Sequence, residues 1–284
     1  MKKFFLLMLA VLLVFIHCLP QTGIQKEFKV SRGGVLGIDL KSGGAIEISG
    51  WEQDIVSIKA YLKGRSAEYD DIKFIKTESG VKVESQDLGR SGRALELKIQ
   101  APKKFNLDLK TMGGGITIRH IDGKIEGKTV SGALTLVALK GKIDLKTLSG
   151  DIVLRDSDID GRLKTLSGRV LFENVIGDIK GISPSGNVIY KNVRFRSGES
   201  PGNVVHITTM SGSINVSDAP EGAEVHTMGG KIHIRSAKRF VSARTMGGDI
   251  VIDNIDGWVK ATTMGGDIKV VMTGDPGKGD RHAA

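Results

Sequence analysis

The sequence predicts an all-β chain wound into a parallel β-solenoid (β-helix), with 18-residue coils of about two strands each. Three observations predict it. A tetrapeptide of the form Thr-apolar-small-Gly recurs nine times in phase through the second half of the chain. Each copy is followed by an alternating apolar run, the period of a half-buried strand. Glycine is also abundant, at 38 of 284 residues or about 13%, nearly twice the usual ~7%. With only 6 prolines and no Gly-X-Y period, that glycine signals repeated tight corners rather than collagen.

The copies open at Thr111, Thr129, Thr147, Thr165, Ser183, Thr209, Thr227, Thr245 and Thr263. Every step is 18 residues except the one from 183 to 209, which is 18 plus an eight-residue insertion around Arg194 to Gly202. Nine in-phase copies cannot be chance. Behind them lie pairs such as Ile116/Ile118, Ile152/Leu154, Ile232/Ile234 and Ile250/Ile252. A second short strand follows a turn, as in Gly123-Lys124-Ile125 and Gly141-Lys142-Ile143. The tetrapeptide's second position is apolar throughout, from Met112 to Met264, and its fourth is always glycine, which suits a corner needing positive φ or no Cβ. So small a unit cannot close a core alone. Stacked in parallel, its apolar positions form continuous columns, and each strand bonds the coils above and below. At ~4.8 Å per coil, nine copies make a rod of roughly 43 Å. The parallel-crossover rule makes it right-handed.

Four segments follow in order. Residues 1–23 read as a signal peptide and lipoprotein anchor segment: Lys2 and Lys3 precede an unbroken apolar run from Phe4 to Ile16, too short for an ordinary bilayer span. Cys18, the only cysteine, falls where a bacterial lipoprotein is cut and lipidated, although His17 departs from the lipobox pattern; ordinary cleavage further on is the alternative. Leu19-Pro20-Gln21-Thr22-Gly23 matches a sortase signal but stands at the wrong end of the chain. Residues 24–108 form a less regular β region continuous with the solenoid, with degenerate copies at 42–48 and 79–83, and cap the rod's N-terminal end. Residues 109–272 are the repeats. Residues 273–284 are a polar tail that loosely covers the other end.

The T-[ML]-[GS]-G-x-[IV]-x-[IV] units behind an export signal resemble a bacterial exported β-strand-repeat family, a domain of unknown function that carries a provisional adhesin name. The resemblance covers roughly residues 30 to 272. It implies an envelope or cell-surface protein and brings no catalytic residues with it.

The residues themselves offer little chemistry. Asp249 and Asp267 share one repeat position on neighbouring coils, about 5 Å apart, but on one ladder rather than across a cleft. The histidines give no ligand set, although His226 and His233 could approach one another. The threonine column reads as a β-ladder, and the serines and threonines at the glycine corners as hydrogen-bonders. No cofactor or metal is expected. The more informative column is Lys128, Lys146 and Lys164, stacked cations that would either splay into water or match an anion such as an anionic polysaccharide or lipid headgroup. The formal charge of +9 is interleaved with acids and aromatics are only 5%, which excludes nucleic acid as a partner.

The expected function is therefore a non-enzymatic exported protein of the periplasm, outer membrane or cell surface. It would use a solenoid face to bind a glycan, matrix or protein partner, with membrane attachment through a lipid on Cys18. A structural or envelope-stress lipoprotein is the alternative. A polysaccharide-processing β-helix enzyme is the third reading, and it would need long catalytic loops that the sequence lacks.

Overall fold

The computed structural model describes residues 23–41, 43–63, 72–85, 94–194 and 204–273. The 22 strands among them belong to one continuous sheet wound into coils. Parallel pairing at a register of 18 sets Ile116, Leu134, Ile152, Val170 and Val188 directly over one another. Ile214, Ile232, Ile250 and Ile268 continue the column. The side chains of Ile116 to Ile250 in this column are buried, as period-two alternation requires. Most coils carry two strands. In Ile152–Lys164, Ile232–Arg244 and Ile250–Thr262 the two halves run together as one bent strand.

The bend between halves is a column of left-handed residues: His120, Ala138, Asp156, Asn174 and Asn192, with φ of 50–57°. Asn and Asp tolerate this conformation because their short side chains bond locally. Here they bond along the rod. Asn192 Nδ2 donates to Asn174 Oδ1 at 2.9 Å, and Asn174 Nδ2 to Asp156 Oδ1 at 3.0 Å.

The tetrapeptide makes the other corner, and its four positions have separate reasons. Its threonine points inward: Thr165 and Thr227 are fully buried. Thr227 Oγ1 donates to the Gly212 carbonyl of the preceding coil at 2.9 Å and accepts from its own coil's Gly230 N–H at 3.2 Å. Thr165, Ser183, Thr209 and Thr245 make the same pair of bonds. Each hydroxyl thus staples two coils together, which a β-branched ladder alone would not do. The final glycine is required by close approach, since a Cβ on Gly230 would overlap the Gly212 carbonyl oxygen, and the relation repeats along the column. Positive φ is added only at Gly114, Gly132 and Gly150 in this column. The apolar second position points outward, so one of the predicted apolar columns lies outside the core.

Where the core needs bulk, it takes it locally. Phe172 and Tyr190 pack with ring centroids 4.8 Å apart and planes tilted by 32°, with Phe172 filling space left by the missing side chain of Gly181. The buried Tyr190 hydroxyl accepts from Gly181 N–H at 2.7 Å and donates to the Ile179 carbonyl at 3.3 Å. Burial pushes its pKa well above the ordinary phenol value.

The N-terminal region is more ordered than its sequence. Its strands are β1 (Gly23–Lys29), β2 (Val35–Leu40), β3 (Ala45–Trp51), β4 (Ile55–Lys63), β5 (Ile72–Lys76), β6 (Gly80–Ser85) and β7 (Ala94–Pro102), followed by β8 (Asn106–Thr111) and β9 (Ile116–Arg119) of the repeats. β2 and β3 stack in parallel on β8 and β9, pairing Ile46 with Ile116, so residues 35–51 are a true coil. On their other side lie β6 and β7, also parallel. The coil of residues 35–51 is therefore held between two coils that follow it in sequence. Beyond β7 and β6 the pairing turns antiparallel: β4 on β7, β1 on β4, and β5 on β6. Antiparallel strands interrupt the parallel stack at this end, which is how a solenoid end avoids edge-to-edge growth.

At the other end the strand Ile268–Met272 pairs with Ile250–Thr262, and Ile268, Val271 and Met272 are exposed. The expected tail cover from residue 274, the signal segment, Cys18 and most of the 194–202 insertion lie outside the described residues. No helix among those residues is long and apolar enough to cross a membrane.

Candidate binding face

The corner made by the tetrapeptides is a convex ridge. Along it Met112, Val130, Leu148, Leu166, Met210, Met228, Met246 and Met264 project outward, with exposures from 38% at Val130 to 78% at Met264. Only Pro184 in this column is half-buried. Eight steps between coils at ~4.8 Å make the row about 38 Å long. Backbone bonds fix it in register, for example Met228 N–H to the Met210 carbonyl and Met246 N–H to the Met228 carbonyl, both 3.0 Å. Alternation dictates the outward direction: Ile125, Gly127 and Thr129 share the inner face, so Val130 must face solvent. The sequence recorded this column as apolar. What it did not reveal was the side, because the corner resets the alternation.

Two residues before the ridge side chain, in four of the coils, lies the lysine column. The register stacks Lys128 on Lys146 and Lys146 on Lys164, as the spacing predicts, and adds Lys110 beneath Lys128. The column then gives way to Ile182. Lys146 Nζ is 3.5 Å from Asp144 Oδ1 and Lys110 Nζ is 3.4 Å from Asp108 Oδ2; both pairs are long, the second is exposed, and in the first the Asp144 carboxylate is half-buried. Such pairs contribute at most about 1 kcal/mol and exchange readily for another anion. The neighbouring acids have firmer partners: Arg162 holds Asp144 Oδ2 at 2.8 Å, and Lys124 holds Glu126 at 2.8 Å. Partial burial alone would raise the Asp144 pKa, but the hydrogen bond and charge of Arg162, with Lys146, hold it below the ordinary carboxylate value. Among the described residues Lys128 and Lys164 have no ion pair, and the tetrapeptides contain no carboxylate at all.

The remaining candidates resolve into structural roles. Asp249 and Asp267 are neighbours on one ladder, but the Asp249 carboxylate is committed: Oδ1 accepts from the Asp267 backbone N–H at 3.2 Å and Oδ2 holds Lys231 at 2.9 Å. Lys231 and that N–H keep its pKa below the ordinary value. Asp151 and Asn187 accept from the next coil's backbone N–H in the same way, so this column caps coils. His226 stacks on Arg244, whereas His233 bonds Asp253 at 2.7 Å on another column, and His206 lies 3.1 Å from Glu224. No group of three metal-ligating side chains occurs among the described residues.

The described residues form several grooves. One, of about 440 Å³, lies at the junction of cap and coils between Trp51, Lys104 and Lys140. Another, of about 420 Å³, runs over Lys142, Asp160 and Lys180, and a third, of about 380 Å³, lies at Asn192, Asp218 and Lys238. None of these three includes a ridge side chain.

No protein-family model matches this sequence, and no curated protein does. Solved structures similar to it include a protein from Parabacteroides distasonis provisionally named an adhesin, 13% identical with a TM-score of 0.49, covering 89% of this chain and 98% of that one. A second protein from that organism, provisionally named lipid-binding, is 14% identical with a TM-score of 0.43, over 88% and 97%. A protein from Bacteroides fragilis, also provisionally named an adhesin, is 14% identical with a TM-score of 0.34, over 88% and 98%. At these values the likeness does not extend to residue chemistry.

Proposed function

We propose that this protein is a non-enzymatic scaffold of the cell surface or envelope that binds its partner along the tetrapeptide ridge. One observation carries this reading: a position that is apolar in all nine copies faces solvent in eight of them. Scattered exposed apolar residues need no explanation, but a continuous row marks an interaction surface. Of the two carboxylates considered as catalytic candidates, Asp249 is occupied in coil-to-coil bonds, and both lie on one ladder rather than across a cleft, which supports a binding role over hydrolysis.

The test is site-specific photo-crosslinking on intact native envelopes, with the probe at Leu166 on the ridge or at Arg235 on another face. A discrete adduct from Leu166 and none from Arg235 is the expected result. Equal capture at both positions, or none at Leu166, would remove the ridge as the binding surface.

A further inference from the structure

We propose that the ridge seats the rod lengthwise on an anionic lipid bilayer, its apolar row entering the headgroup boundary while the lysine column meets the lipid charge. The inference rests on the binding reading above and names the partner. Three features of the ridge select a membrane surface. First, the row stands on an outer corner, and none of the three grooves includes a ridge side chain, so the ridge offers a line of contact rather than an enclosure. A row of similar side chains along one corner suits a flat, deformable surface.

Second, the chemistry is amphipathic at a fixed spacing. In four successive coils a lysine and an apolar residue flank a buried threonine: Lys110 with Met112, Lys128 with Val130, Lys146 with Leu148 and Lys164 with Leu166. Two residues along a strand are ~7 Å, close enough for a lysine stem to lie beside its apolar neighbour while the ammonium reaches a phosphate. Basic and apolar side chains on one face are the pattern by which peripheral elements lie in the interface. Third, the residue directly after the ridge position carries no charge, and the one carboxylate three residues past it in the four lysine-bearing coils, Asp151, is paired with Arg169 at 3.3 Å. The tetrapeptide's third position is glycine or serine in every copy, which lets the ridge approach closely.

The assay is co-sedimentation of the full chain with vesicles; the ridge variants keep the N-terminal apolar run and Cys18 of the parent, so a difference between variant and parent reports the ridge and not that segment. Vesicles of phosphatidylcholine alone are compared with vesicles containing phosphatidylglycerol. Two quadruple variants are used: the four lysines to Gln, and Met112, Val130, Leu148 and Leu166 to Ser. Unchanged circular dichroism and melting confirm that each is folded. Binding to the anionic vesicles alone is expected, weakened by salt. Each lysine near an anionic surface contributes about fivefold, so the Gln variant should lose roughly 600-fold in partitioning. The Ser variant should lose at least tenfold, and Arg235→Gln should change binding little.

Equal binding to neutral and anionic vesicles, or binding insensitive to both variants, overturns the proposal. So does lysine-dependent binding of a soluble anionic polysaccharide with none to vesicles, which would identify a polymer as the partner. Ridge-dependent crosslinking on envelopes without vesicle binding overturns the membrane assignment alone and leaves the binding scaffold standing; absence of both overturns the two together.

Discussion

Replacing Thr227 by valine tests whether the tetrapeptide is a hydrogen-bonded staple. The two side chains have nearly the same shape, and Thr227 is fully buried, so packing changes little while the hydroxyl disappears. Two bonds go with it: the one to the Gly212 carbonyl at 2.9 Å and the one from Gly230 N–H at 3.2 Å. Each is worth about 1 kcal/mol net, and the stranded backbone groups add a desolvation cost, giving roughly 2–4 kcal/mol in total. Thr227→Ser keeps the hydroxyl and should cost about 1 kcal/mol or less. Met228→Ser, one residue on and outside the core, should fall within ~0.5 kcal/mol of the parent. Urea titration gives the global values. Because repeat proteins can open locally, amide exchange at Gly230 is the sharper reading, and it should accelerate on the order of 30- to 700-fold in the valine variant. A Thr227→Val variant as stable as Met228→Ser, with Gly230 equally protected, would refute the staple.

Other outcomes follow from the same geometry. Ile250 lies buried between Ile232 and Ile268, so Ile250→Asp should cost about 3–5 kcal/mol, whereas Val251→Asp, on the opposite face, should cost about 1 or less; equal losses would mean the inward face is misassigned. The Asp144 pKa lies below its unfolded value, so its contribution to stability is present above about pH 4 and fades as pH falls through the depressed folded value. Asp144→Asn should therefore flatten the acid limb of a stability-against-pH curve, and an unchanged limb would show that Arg162 does not favour the ionised form. Mass spectrometry of the mature N-terminus should find a lipid on Cys18; an unmodified start beyond residue 18 would eliminate the anchor.

Much of the rod was legible because its rule is periodic. An 18-residue spacing with Ile116, Leu134 and Ile152 at one phase admits one stacking, and the structure has it. The lysine column was legible for the same reason. The direction of Met228 was not, because each corner restarts the alternation and only the parity of Ile125, Gly127 and Thr129 recovers it. The left-handed bend had a readable signal that carried no weight alone: His120, Asp156, Asn174 and Asn192 recur at multiples of 18. The N-terminal arrangement had no such signal. That β2 would stack on β8 across a sequence gap, with β6 on its other side, is decided by long-range pairing that leaves no period in the chain.

That arrangement gives the two ends of the rod different mechanical characters. Traction on the C-terminal end meets strands bonded on one side to the coil beneath, so coils can unzip one after another at low force. Traction on the N-terminal end first strips β1 from its single ladder on β4, and then reaches the coil of residues 35–51, clamped above by β8 and β9 and below by β6 and β7. Freeing that coil requires rupturing two ladders together rather than one. Once β1 is released, a pull through the N-terminus is therefore borne by a doubly bonded coil, with the singly bonded coils left at the far end.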